Sequence, residues 1–149
     1  MLKQMLLAAV LEKDPSYNRD FIQPCVQSFG PETVRIQLLE YLESGSDAEK
    51  AGAASALYWV RGDGDSTSEV WQRICCQMLR EFVHNPNLEV RRRIIPMLDL
   101  KFRKYPRDLR PLTKQAIDIA RSHSDEYIRH RVEIQLGGRG PLLPIPHRN

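Results

Sequence analysis

The side chains best equipped to grip another molecule are cationic and aromatic. Arg91, Arg92 and Arg93 stand in an unbroken triplet, and His130 and Arg131 repeat its last two places 38 positions later. On a helix, Arg92 and Arg93 lie about 100° and 200° round from Arg91. Arg91 then turns toward the body of the protein while the other two reach outward. Arg92, Arg93, His130 and Arg131 form a candidate basic stripe, suited to a phosphate backbone or to an acidic protein surface. Exposed charge that only solvates a helix is the competing reading.

Tyr58-Trp59 is the aromatic candidate. It follows a segment whose inward positions are filled by Ala53 and Leu57, and tyrosine, tryptophan and arginine dominate the energetic centres of protein interfaces. Trp71 has the two readings of any helical tryptophan, core or contact.

Other reactive residue types do not assemble a site. Asp63-Gly64-Asp65-Ser66-Thr67-Ser68-Glu69 faintly resembles a calcium loop. It lacks the third acidic ligand, the central glycine and the distant glutamate, so it reads as a linker with a cap. Cys75 and Cys76 are neighbours whose side chains diverge by about 100° on a helix and cannot share a tetrahedral metal. They read as small buried hydrophobes. His84, His123, His130 and His147 lack zinc spacing. Gly137-Gly138-Arg139-Gly140 follows a helix instead of opening one, as a phosphate loop would. The expectation is a protein that is not an enzyme and holds no metal or cofactor.

The bulk numbers set the frame. A chain of 149 residues, 42% hydrophobic and 28% charged, suits one soluble globular domain. The formal charge of +3 is mild, short of the field of a dedicated nucleic-acid binder. Three cysteines, two of them adjacent, suggest no disulfide framework and point to a reducing cytoplasm. No stretch is long enough to span a membrane. Met5 to Leu11 is apolar, but Glu12-Lys13-Asp14 follows at once, so the opening reads as an amphipathic helix and not a signal peptide.

Glycines and prolines cut the chain into about eight expected helices. Leu2 to Lys13 is stopped by Asp14-Pro15. Asp20 caps a second that ends at Phe29-Gly30 and contains Pro24, and Pro31 opens a third that ends near Glu43. Ser46 or Asp47 caps the fourth, which stops around Val60 to Gly62. After a loop over 62–66, the fifth runs from Thr67 to His84. The sixth opens at Asn85 or Asn87 and reaches Lys101, bent by Pro96. Asp108 opens the seventh; Ser124 opens the eighth, which stops at Gly137-Gly138. No strand pattern is present, and the fold class is all-α. Residues 1–137 read as one domain and 138–149 as a Gly/Pro-rich tail.

A repeat underlies the arginines. Aligning Arg91, Arg129, Lys50 and Arg35 brings Ile94, Val132, Ala53 and Leu38 together three places on, and Leu98, Leu136, Leu57 and Leu42 seven places on. Those offsets share one helical face. With Val90, Ile128 and Val34 they make the expected core. Lys50 to Arg91 spans 41 positions and Arg91 to Arg129 spans 38, a beat near forty with two helices per period. Helices one and two, three and four, five and six, and seven and eight should therefore pair.

Asn85-Pro-Asn-Leu-Glu-Val-Arg-Arg-Arg-Ile-Ile-Pro-Met-Leu98 resembles the second helix of a HEAT repeat, with its Asp or Asn, its Val-Arg and its spaced aliphatic residues. Asp47 to Leu57 and Asp125 to Val132 are similar. Lys50, Glu49, Ser44 and His123 depart from the pattern. The resemblance covers about residues 31–137 and implies a short right-handed α-solenoid of about four antiparallel helix pairs. It further implies a scaffold that binds another protein on its concave face, with neutralisation of a bacterial toxin, as an immunity protein, one candidate role. The partner-binding residues would be Tyr58, Trp59, Arg92, Arg93, His130 and Arg131. Nucleic-acid binding along the basic stripe is the alternative, opposed by Glu89, Asp99, Glu126 and Glu133 on the same helices. Chromophore handling, as in HEAT-like bilin lyases, ranks last because no acid–base pair is visible.

Overall fold

The computed structural model describes residues 2–12, 15–60 and 68–137. Among them the ordered elements are all helical: α1 (Leu2–Leu11), α2 (Pro15–Phe29), α3 (Pro31–Ser44), α4 (Asp47–Leu57), α5 (Glu69–His84), α6 (Leu88–Ile94), α7 (Arg110–Arg121) and α8 (Glu126–Gln135). Two single 3-10 turns, Ile95–Met97 and Phe102–Lys104, lie between α6 and α7. The expected halt of α1 at Lys13-Asp14, the stop at Gly62, the 62–66 loop, the calcium-like acidic run up to Thr67 and the tail over 138–149 fall outside the described residues.

Local chemistry explains the boundaries. Ser46 and Glu49 close a reciprocal capping box at the start of α4. Ser68 caps α5, Asn87 caps α6 and Asp125 caps α8, each side chain accepting from the backbone N–H three residues on. Helix α8 therefore begins one residue later than Ser124 suggested. Three other expectations need correction. Helix α2 opens at Pro15, not after Asp20, because a proline in the first turn lacks only an N–H that has no intrahelical partner anyway. Helix α7 starts at Arg110, with Pro111 in its first turn, and not at Asp108. Helix α6 does not bend at Pro96 and run to Lys101; it ends at Ile94 and passes into the 3-10 turn that contains Pro96. The pyrrolidine ring removes a donor and crowds the carbonyl four residues back, and here termination relieves the conflict.

Helix α4 is the hub. Every residue from Ala51 to Leu57 is buried, and the helix packs against α1, α2, α3 and α6. Its run of alanine, glycine and serine lets those neighbours approach closely. At Gly52 a β-carbon would fall 1.7 Å from the Val10 carbonyl oxygen, so only glycine fits where α1 crosses. The aliphatic positions of the repeat meet as expected: Val34, Leu38, Leu42, Leu57, Val90, Ile94, Leu98, Ile128 and Val132 are buried in one core, with Leu136 partly buried against it. The expected partners α1–α2, α3–α4, α5–α6 and α7–α8 are in contact, as are α3–α5, α5–α7, α4–α6 and α6–α8.

The four aligned cations all serve as ties. Arg91 donates from Nε to the Phe82 carbonyl at 2.9 Å and from Nη2 to the Val83 carbonyl at 3.1 Å, closing the end of α5. Arg129 does the same with the His123 carbonyl beyond α7, and buried Arg35 holds the Val60 carbonyl beyond α4. Lys50 reaches Glu81 on α5 at 2.9 Å. Helix C-termini leave carbonyls without partners, and a fixed cation there is favourable.

Candidate interaction groove

After Leu57 the last turn of α4 tightens: Tyr58, Trp59 and Val60 donate to carbonyls three residues back instead of four. With Val60 buried and its carbonyl held by Arg35, the segment is fixed, and Tyr58 and Trp59 project from it. Their rings meet edge to face at 5.0 Å with an interplanar angle of 86°. Ala54 and Ser55 from α4, Arg92 and Arg93 from α6, and Pro96 and Met97 from the turn after it line the space beside them. Tyr127, in the first turn of α8, completes the lining. The result is a groove of about 340 Å³.

Four of the six sequence candidates thus come together: Tyr58, Trp59, Arg92 and Arg93. The two arginines differ in role. Arg93 is tied down, donating to Glu89 Oε2 at 2.7 Å and to the Ser55 hydroxyl at 2.7 Å. Arg92 lies across the Tyr127 ring at 5.1 Å, with its side chain 42% exposed. Its ion pair with Asp125 spans 3.6 Å, beyond hydrogen-bond reach. A second guanidinium, Arg19 on α2, lies 5.6 Å from the centre of the Trp59 ring. The Trp59 and Tyr127 rings therefore each carry a cation.

His130 and Arg131 do not line this groove. His130 is exposed, and Arg131 donates to Gln135 on its own helix at 3.0 Å. Gln135 in turn donates to the Leu98 carbonyl, tying α8 to the segment after α6. Sequence reasoning missed Tyr127, Pro96, Met97 and Arg19. Tyr127 had a signal, since it stands one helical turn before Arg131 and shares its face. Pro96 and Met97 had none, because their position depends on α6 stopping.

A second cleft, about 270 Å³, lies between α5 and the loop after α6, lined by Trp71, Gln72, Cys75, Cys76, Asp99, Lys104 and Tyr105. The adjacent cysteines are half-buried and both face this cleft, in place of the full burial expected. Trp71 is half-buried too, with the Arg35 guanidinium 5.6 Å from its ring centre. Burial pushes the Cys76 thiol above its usual range, so at neutral pH it is a thiol and a weak nucleophile. Burial likewise raises Tyr105, whose hydroxyl donates to the Asp99 carbonyl. Cys25 is fully buried, its thiol directed at the Phe21 carbonyl.

Among the described residues no group of three or more His, Cys, Asp or Glu side chains converges as a metal site, and no helix is long and apolar enough to cross a membrane. No family model, curated protein or solved structure matches the chain.

Proposed function

We propose that the chain is a short, right-handed HEAT-like stack of about four helix pairs that binds a segment of another protein in the Tyr58–Trp59–Arg92–Tyr127 groove, without catalysis. The stacking half of the reading rests on ties between residues close to one repeat apart: Asn85 and Asn87 to Asp47, Arg93 to Ser55, and Gln135 to Leu98. The binding half is carried by one observation, the groove itself. Three aromatic rings, Met97 and a half-exposed arginine share one concavity, the composition that concentrates binding energy at protein interfaces. A toxin neutralised by the chain is one partner class that the HEAT-like resemblance implies, with the cytoplasm as the setting.

A nucleic-acid strand is the alternative reading, favoured by the guanidiniums of Arg92 and Arg93 on the groove wall. It is weakened by Glu89 and Asp125, which already pair with them. A photo-crosslinking residue in place of Tyr58, compared with one in place of exposed Lys114 on α7, tests both. Protein adducts specific to position 58 and lost in Trp59→Ala support the proposal. Oligonucleotide adducts that fade steeply with salt favour the alternative. Equal protein labelling at both positions removes the proposal.

A further inference from the structure

We infer, on the reading that this groove binds protein, that its occupant is an extended peptide segment carrying a carboxylate next to an aliphatic, proline or aromatic side chain. The apolar requirement follows from the lining. Ala54, Tyr58, Trp59, Pro96, Met97 and Tyr127 offer ring faces, a thioether and methyl groups, with the Ser55 hydroxyl already accepting from Arg93. Such a surface rewards flat or aliphatic groups, and a segment already extended loses less entropy on lying along it.

The acid requirement follows from charge. The lining contains two arginines and no carboxylate, and Arg19 adds a third guanidinium beside Trp59. Arg93 is occupied by Glu89 and Ser55. Arg92 is not held in the same way: it lies over Tyr127, and its contact with Asp125 at 3.6 Å leaves hydrogen-bonding capacity on its N–H edge. A guanidinium stacked on a ring keeps its edge available for the bidentate geometry that carboxylates match. Tyr127 and Met97 share the lining with Arg92, so a carboxylate paired with it would sit beside apolar groups, and a less polar surrounding strengthens such a pair. A basic segment would meet Arg19, Arg92 and Arg93 as like charges.

Panning a library of random linear peptides displayed on phage against the full chain tests the inference. Enriched sequences are expected to carry Asp or Glu within a few positions of Leu, Ile, Pro or an aromatic residue. Panning against Arg92→Glu is expected to replace that acid with Lys or Arg. The best acidic peptide without tryptophan is then titrated into a Trp71→Phe protein, whose tryptophan emission comes from Trp59. It should bind about tenfold or more tightly than its amide twin, and Arg92→Gln should erase the difference while retaining a cooperative thermal melt. Enrichment without an acid, or an acid preference indifferent to Arg92→Glu, overturns the inference while crosslinking at Tyr58 still stands for the groove. An empty selection also overturns it. So does a synthetic copy of residues 138–149 that binds as tightly as the acidic peptide, since the occupant would then be the chain itself.

Discussion

Arg93 and Ser55 meet at 2.7 Å, Nη1 donating to Oγ, across the packed faces of α6 and α4. Ser55 is 8% exposed, so its hydroxyl has little water to fall back on. A charge-assisted hydrogen bond in such a place is worth more than the exposed pairing of the same arginine with Glu89, whose side chain is 51% exposed. Ser55→Ala is therefore expected to lower stability by about 1–2 kcal/mol, against about 0.5 kcal/mol or less for Glu89→Ala. Urea midpoints of the two variants decide it, and a larger loss in Glu89→Ala would contradict the assignment of Arg93 as an inter-helix tie.

Gly52 allows a starker prediction. The 1.7 Å approach that a β-carbon would make is to the Val10 backbone, not to a flexible side chain that can swing away. Gly52→Ala must push α1 off α4, and overpacking of this kind costs about 1–3 kcal/mol, with a backbone clash at the upper end. Elsewhere in a helix the same change would gain up to about 1 kcal/mol from propensity. A denaturation midpoint at or above the parent's would show that α1 does not pack on α4 in this way.

Much of this architecture was legible because burial leaves a periodic trace. Val34, Leu38 and Leu42, or Val90, Ile94 and Leu98, repeat at helical intervals, and the aligned cations recur at the matching end of each helix. What was not legible depended on contacts between helices. Pro96 permits either a kink or a stop, and the stop comes with a following 3-10 turn that packs against α8. Arg92 and Arg93 look equivalent in sequence, yet Ser55, 38 positions earlier, claims one of them. Tyr127 joins Tyr58 and Trp59 only because α8 follows α6 in space. The small residues of α4 suggested a helix, but not that Gly52 marks a backbone crossing.

Arg91, which turns inward from the triplet, holds the turn between α5 and α6. Its two bonds to the Phe82 and Val83 carbonyls need the forked geometry of a guanidinium. Arg91→Lys retains the charge but can satisfy these two acceptors only from a single nitrogen. It is expected to recover at most half of the about 2 kcal/mol that Arg91→Ala loses. Full recovery by lysine, read from chemical denaturation, would mean that charge at the helix end matters and the fork does not.

His123 makes stability depend on pH. Its Nδ1 accepts the Asp125 backbone N–H at 3.0 Å, which requires that nitrogen to be unprotonated. Burial, then the nearby Arg91 and Arg129 charges, lower its pKa below the ordinary 6.5, with Asp125 acting in the other direction. A base whose folded pKa is depressed binds fewer protons folded than unfolded, so acid favours the unfolded chain. This cost is absent above the ordinary value, grows as pH falls below 6.5 and levels off below the lowered native value. His123→Asn keeps an acceptor for the Asp125 N–H but cannot be protonated. Its urea midpoint should fall less than the parent's as pH drops from neutral into that window, while the two track each other above it. Parallel acid losses in parent and variant would place the titration elsewhere and remove the His123–Asp125 bond as the pH-sensitive joint between α7 and α8.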